Sequence, residues 1–214
     1  MKKTFSLMME VFNRVYQTIL LNLYFLILNI FFFQIYFVIN FEPSFFIVYF
    51  LASITFVPTM IILLKNTRNE VSSTFFRILI ELKECIKATF WTMILIPFLF
   101  FLSITNLYLL SNNSFMSIVL LFLNVVSIVL QLILVVNILR NSMNGCFETL
   151  LKRSFKNYVL YLPQNFMILV MNLLMLLIAF KVSYVSIIFI FGLLVQVNKL
   201  FFEKENDKEL KFIN

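Results

Sequence analysis

The chain has 214 residues, 62% of them hydrophobic and 13% charged, and its mean hydropathy is +1.00. A soluble domain carries roughly 45–50% apolar and about 25% charged residues, and a globule of this size must turn much of its surface to water. The composition therefore excludes a water-soluble fold. The net charge of +7 is then read as charge facing anionic lipid headgroups, which leaves nucleic acid unneeded as a partner.

In chain order, the first element is an amphipathic helix near 5–16, with Phe5, Met8, Met9 and Phe12 on one face and Glu10, Asn13 and Arg14 elsewhere. Glu10, Asn13 and Arg14 interrupt the stretch after Met-Lys-Lys, and the uncharged run beyond is too long for a signal peptide, so the first span is expected to be retained. No Asp, Glu, Lys or Arg occurs between Arg14 and Glu42 or between Glu42 and Lys65, which predicts spans near 17–39 and 44–64. A second amphipathic helix near 75–87 sets Phe75, Ile78, Leu79, Leu82 and Ile86 against Arg77, Glu81, Lys83 and Glu84. The uncharged stretch from Ala88 to Leu139 is too long for one crossing of about 20 residues. The polar turn Ser111-Asn112-Asn113-Ser114 divides it into spans near 88–110 and 115–139. A third amphipathic helix near 147–158 opposes Phe147, Leu150, Leu151 and Phe155 to Glu148, Lys152, Arg153 and Lys156. Spans near 159–180 and 182–199 follow, with Lys181 between them.

These elements predict an all-α fold: a single membrane domain over 1–214, a polytopic transmembrane helical bundle of about six spans. The leading residues Phe5, Phe75 and Phe147 are 70 and 72 positions apart, which suggests three repeats of an amphipathic helix plus a transmembrane hairpin, a parallel plan known in transporters. With six spans, every one of the 17 basic residues except Lys181 falls on one side. The positive-inside rule makes that side cytoplasmic and puts both termini there. Cys85 and Cys146 fall on the same side, where thiols stay reduced. Neither has a CxxC or metal-ligand spacing, so both are read as small apolar residues.

Residues suited to chemistry are sparse. His is absent from the sequence and Gly occurs twice, as Gly145 and Gly192, so the usual general base and a phosphate-cradling glycine loop have no source. Glu42 is the one acidic residue outside the cytoplasmic side, and the spans carry no acid for an ion-coupled relay. No catalytic, cofactor-binding or metal-binding residue is assigned, and the expectation is a protein that is not an enzyme. Asn22, Asn29, Asn124, Gln131 and Asn172 are candidate polar contacts inside the spans. Asn22 and Asn29, like Asn124 and Gln131, are seven apart and share a helix face. They are read as interhelical hydrogen bonds, worth about 0.6 kcal/mol each; a polar path for a solute is the alternative. Gly192 is read as a close-packing point. Pro58 and Pro97 sit inside spans and are expected to kink them.

Three segments resemble the YesL-like family of bacterial integral membrane proteins. The first is Phe12-Asn13-Arg14 with Leu21-Asn22-Leu23. The second runs from Val57-Pro58-Thr59 through Lys65, Arg68 and Phe75-Phe76-Arg77 to Lys83, Lys87 and Trp91. The third joins Phe147-Glu148-Thr149-Leu150, Lys156-Asn157 and Leu162-Pro163 to Asn172-Leu173-Leu174. The stretch between Asn22 and Pro58 is longer here, and Phe56-Val57 stands where the family has Gly before that Pro. The resemblance implies a non-enzymatic accessory subunit of a carbohydrate ABC importer in the bacterial cytoplasmic membrane, supporting its assembly, stability or regulation. Its partners would be membrane lipid and ABC permease subunits. The amphipathic helices themselves have two readings: they lie in the headgroup layer and steer the chain into the next span, or they dock a protein, with Arg77, Lys83, Lys152 and Arg153 as candidate docking side chains. Two other readings stay open: a free-standing carrier or substrate-capturing subunit of a small-molecule importer, and a membrane sensor or immunity-like protein.

The charge split yields a direct topological expectation. A cysteine at Ser114 reacts with a membrane-impermeant thiol reagent added outside the cell, and one at Ser73 does not. Reversed labelling would contradict the six-span arrangement with cytoplasmic termini.

Overall fold

Most helix interruptions in this chain have an identifiable side chain behind them. The structure, a computed structural model, describes residues 2–40, 42–68, 75–110, 115–142, 147–182 and 186–213. Helix α1, Lys2–Leu28, takes in both the expected amphipathic segment and the start of the first span without a break, because nothing in that stretch removes a backbone donor. The break comes at Asn29 (φ −115°, ψ 23°), before α2, Ile30–Val38. The Asn29 carboxamide donates to the Phe25 carbonyl at 2.9 Å, so the polar side chain satisfies the backbone where the helix is disturbed.

A 3-10 turn at Pro43–Phe45 leads into α3, Phe46–Ser53, and α4, Phe56–Arg68. The gap at Ile54–Thr55 follows from Pro58, which has no N–H for the Ile54 carbonyl four residues back and crowds it with its ring. Thr55 in that gap donates its hydroxyl to Asn29 Oδ1 at 2.9 Å, stitching the two interrupted helices together. Beyond it, Ile61, Ile62, Leu63 and Leu64 are all 0% exposed. A helix apolar on every side belongs at the centre, and α4 packs against α1, α5, α6 and α9.

Helix α5, Phe75–Leu109, is bent by 64° into arms Phe75–Trp91 and Met93–Leu109, with Thr89 outside helical geometry at φ −116°. The remaining helices are α6, Phe115–Ser142; α7, Phe147–Asn157; α8, Leu162–Val182; and α9, Ser186–Ile213. Pro163 sits in the first turn of α8, where its missing N–H costs nothing.

The described residues are thus all helical, without a strand. Four helical stretches are long and apolar enough to cross a membrane: Met8–Leu28, Pro43–Asn66, Ile118–Ser142 and Leu162–Ala179; the bent α5 makes up to five. This is a multi-pass helical protein with fewer such stretches than the six expected spans. Two physical features account for the difference. The third expected span shares one bent helix with the amphipathic segment near 75–87, and the sixth lies in α9, whose last turns are rich in Lys and Glu. The three expected amphipathic segments are built differently, without a shared plan: the first is continuous with the following helix in α1, the second is an arm of α5, and the third is the separate α7. The turn at 111–114, Gly145 and Cys146 lie outside the described residues.

The broadest helix contact joins α1 to α9, the first helix to the last. Gly192 makes it possible. A Cβ there would stand 2.4 Å from the Thr18 carbonyl oxygen and 2.7 Å from Asn22 Nδ2, inside any tolerable contact. Gly192→Ala is therefore expected to force the helices apart and cost about 1–3 kcal/mol, read as a lower thermal unfolding midpoint in detergent. An unchanged midpoint would contradict the crossing.

Candidate functional site

Three groups of residues stand out: polar contacts between helices, an aromatic-lined cavity, and the basic faces of two amphipathic segments. Among the sequence candidates, Asn22 accepts from the Gly192 backbone N–H through Oδ1 and donates to the Thr18 carbonyl at 3.0 Å, joining α1 to α9. Asn29 joins α1 to the α3–α4 gap through Thr55. Asn172 donates to Asn198 Oδ1 at 3.1 Å, joining α8 to α9. The other two bond within α6. Asn124 donates to the Leu120 carbonyl at 2.8 Å, and Gln131 to Ser127 Oγ at 3.0 Å. No pair among the five candidates is directly hydrogen-bonded in these contacts.

A further polar knot was invisible as such in the sequence. Asn137, fully buried, donates to the Ser154 carbonyl at 2.6 Å and accepts from Asn165 Nδ2 at 3.1 Å, tying α6 to α7 and α8. One turn on, Arg140 is only 4% exposed; its guanidinium lies 4.4 Å from the Tyr161 ring centroid and donates to Gln164 Oε1 at 3.1 Å. Arg140 entered the sequence reading only as a topological charge. The signal that could have found the knot is the run Asn137, Arg140, Asn141, polar at i, i+3 and i+4 on one face.

Two adjoining cavities share Phe32, Phe100 and Phe101. The larger, about 490 Å³, lies under the turn at residues 39–40 and includes Tyr36, Asn40 and Tyr49 in its wall. The smaller, about 250 Å³, is bounded by Ser53, Pro97 and Gln131 among apolar side chains. Gln131 Oε1 is buried there without a hydrogen-bond partner. The wall comes from α2, α3 and α4, on either side of the Ile39–Asn40 and Ile54–Thr55 interruptions, and from α5 and α6; α5 stays helical through Pro97, and its bend lies nearer Thr89, between Trp91 and Met93. Displaced helical backbone at membrane depth is tolerated where it is buried in protein or lines a cavity.

Two of the three amphipathic segments bury part of their apolar faces against the protein itself, whereas in the first Met8, Met9 and Phe12 are exposed. In the first arm of α5, Ile78, Leu82, Cys85 and Thr89 are buried at helical spacing; in α7, Leu150 and Ser154 are. The two segments touch each other. Outward they present Arg77, Lys83 and Lys87 from α5, and Lys152, Arg153 and Lys156 from α7, all exposed. Large apolar side chains stand among them, with Phe76 77%, Ile80 61% and Phe155 60% exposed. Arg77 pairs with Glu81 at 3.2 Å, and Glu81 also accepts from the buried Asn66 at 2.9 Å, which anchors the arm to α4. Among the described residues, no group of three or more His, Cys, Asp or Glu is placed to hold a metal ion.

No protein-family model matches this chain, and no curated protein or solved structure does.

Proposed function

We propose that this chain is a non-enzymatic, six-span subunit of the bacterial cytoplasmic membrane, with both termini cytoplasmic, that docks onto an ABC permease of the carbohydrate-import class and supports its assembly, stability or regulation. The three-hairpin plan is part of this reading. The arm Met93–Leu109 supports the third span: its 17 helical residues extend roughly 26 Å, near the thickness of the hydrocarbon, with Trp91 and Tyr108 exposed beside its two ends.

One observation carries the docking. In these arms Ile78, Leu82, Cys85, Leu150 and Ser154 are buried against the chain's own bundle, which helps to hold the arms in place, while Leu79 and Phe155 of the same faces stay exposed. What remains outward includes Arg77, Arg153, Phe76 and Phe155, and Arg and aromatic side chains are the types enriched at protein interfaces. The permease as partner comes from the family resemblance alone.

The substrate-capturing reading has its own support in the cavity pair. On the proposed topology it lies in the outer half of the bundle, and its aromatic walls with a few polar groups suit a small, mostly apolar ligand.

Purification from native membranes in mild detergent, followed by mass spectrometry of proteins and small molecules, separates the two. Docking predicts a co-purifying permease, and reversing Arg77 and Lys83, or Lys152 and Arg153, to Glu lowers its recovery about tenfold or more, since misplaced like charges cost several kcal/mol. Undiminished recovery from correctly inserted variants would sink docking through these arms. A small molecule recovered without a protein neighbour would favour capture.

A further inference from the structure

A polar recess between α1 and α9 belongs neither to the basic arms nor to the aromatic cavity. It measures about 260 Å³ and is lined by Arg14 and Gln17 from α1 and by Gln196, Lys199, Leu200 and Glu203 from α9. Gln196 Nε2 donates to the Arg14 carbonyl at 3.2 Å, which holds the two walls together.

Charge fixes where this recess sits along both helices. Arg14 is the last charged residue before the uncharged run to Glu42, and Lys199 is the first after the uncharged run from Lys181. On helices that cross a bilayer, that transition falls where hydrocarbon gives way to headgroups. On the proposed topology the recess opens at the level of phospholipid phosphates, with Arg14 on one wall and Lys199 on the other, Glu203 beside it.

The chemistry of the walls fits the same group. Arg14 meets Glu10 through one guanidinium nitrogen at 2.8 Å, and a guanidinium carries five N–H donors, enough to serve a second anion. Lys199 lies 3.8 Å from Glu203, a looser pairing on its own helix. Gln17 and Gln196 add uncharged carboxamides. Apolar surface continues inward: Leu193, one turn toward the hydrocarbon from Gln196, is 42% exposed.

We propose that this recess binds the phosphate diester of a membrane phospholipid, with Arg14 and Lys199 on the phosphate oxygens, the Gln17 and Gln196 carboxamides on neighbouring ester oxygens, and an acyl chain along Leu193. A bound lipid then fastens the first helix to the last at the cytoplasmic surface, below the Asn22–Gly192 contact. The proposal rests on α1 and α9 crossing the bilayer and on no protein partner. Loss of permease recovery leaves it intact, and loss of lipid leaves docking intact.

The test uses the full chain, delipidated and returned to micelles containing either phosphatidylglycerol or a galactosyl diacylglycerol with the same tails and no phosphate. Native mass spectrometry is expected to show one phosphatidylglycerol retained and no galactolipid. Replacing Arg14→Gln and Lys199→Gln together lowers retention about fivefold for each cation removed. In the unmodified chain, a phosphatidylglycerol with a photoreactive group near its headgroup should label peptides spanning 14–17 or 196–203. Equal retention of galactolipid, undiminished retention by the variant, or labelling confined to other helices would overturn the proposal. Displacement of the lipid by millimolar inorganic phosphate would also overturn it, by making free phosphate the ligand.

Discussion

Where α1 crosses α9, the Asn22 carboxamide meets the backbone of Gly192, and much of the bundle is arranged around that crossing. The missing side chain at Gly192 lets the helices approach until Thr18 and Asn22 fill the space a Cβ would need. In an apolar medium such an approach is driven by close packing and hydrogen bonding, since lipid tails compete equally for apolar contact. The crossing joins the beginning of the chain to its end. Phe25, one turn along α1, stacks on Phe191 with ring centroids 4.3 Å apart and meets Phe56 edge-on at 4.9 Å. That cluster brings α4 to the same point, so the central helix and the two end helices share one aromatic core.

The second organising feature is polar satisfaction at helix interruptions. Pro58 removes a donor and Asn29 leaves helical geometry, yet the two interruptions face each other and the Asn29–Thr55 bond closes them. Their cost is local and small, and their consequence is spatial. Helices that would otherwise pack flush leave room at Phe32, Phe100 and Phe101, where the cavities meet. A similar economy appears in the first arm of α5, where Glu81 serves Asn66 on one side and Arg77 on the other. The position of Arg77 on the basic face thus depends on the partly covered Glu81 and, through it, on the buried Asn66.

The helical class and most of the element positions were legible from charge-free runs and from the spacing of apolar residues. Gly192 could be read as a packing point because a lone glycine in a Phe- and Leu-rich helix has few other uses. The partner helix could not be read, since a close approach leaves its mark on one sequence position only. The break at Asn29 was hidden because no Gly or Pro announces it; the side chain competes for its own helix backbone. The continuity of α1 through Arg14 was missed for the opposite reason: charge suggested an interfacial helix and a separate span, but a charge does not end a helix. The inward apolar face of α7 was visible as a pattern, whereas its target, the chain's own α6 and α5, required three dimensions.

The central claim is that the first and last helices lie against each other from the Asn22–Gly192 contact to the recess at Gln17 and Gln196. It is tested most directly by cross-linking cysteines placed at Gln17 and Gln196, which wall the same recess, in a background carrying Cys85→Ser and Cys146→Ser. A protease site inserted in the turn at 111–114 separates the two halves after reaction with a short bismaleimide. The structure predicts that the halves stay joined on a denaturing gel after cleavage. Two separate fragments from fully labelled, correctly inserted protein would contradict it.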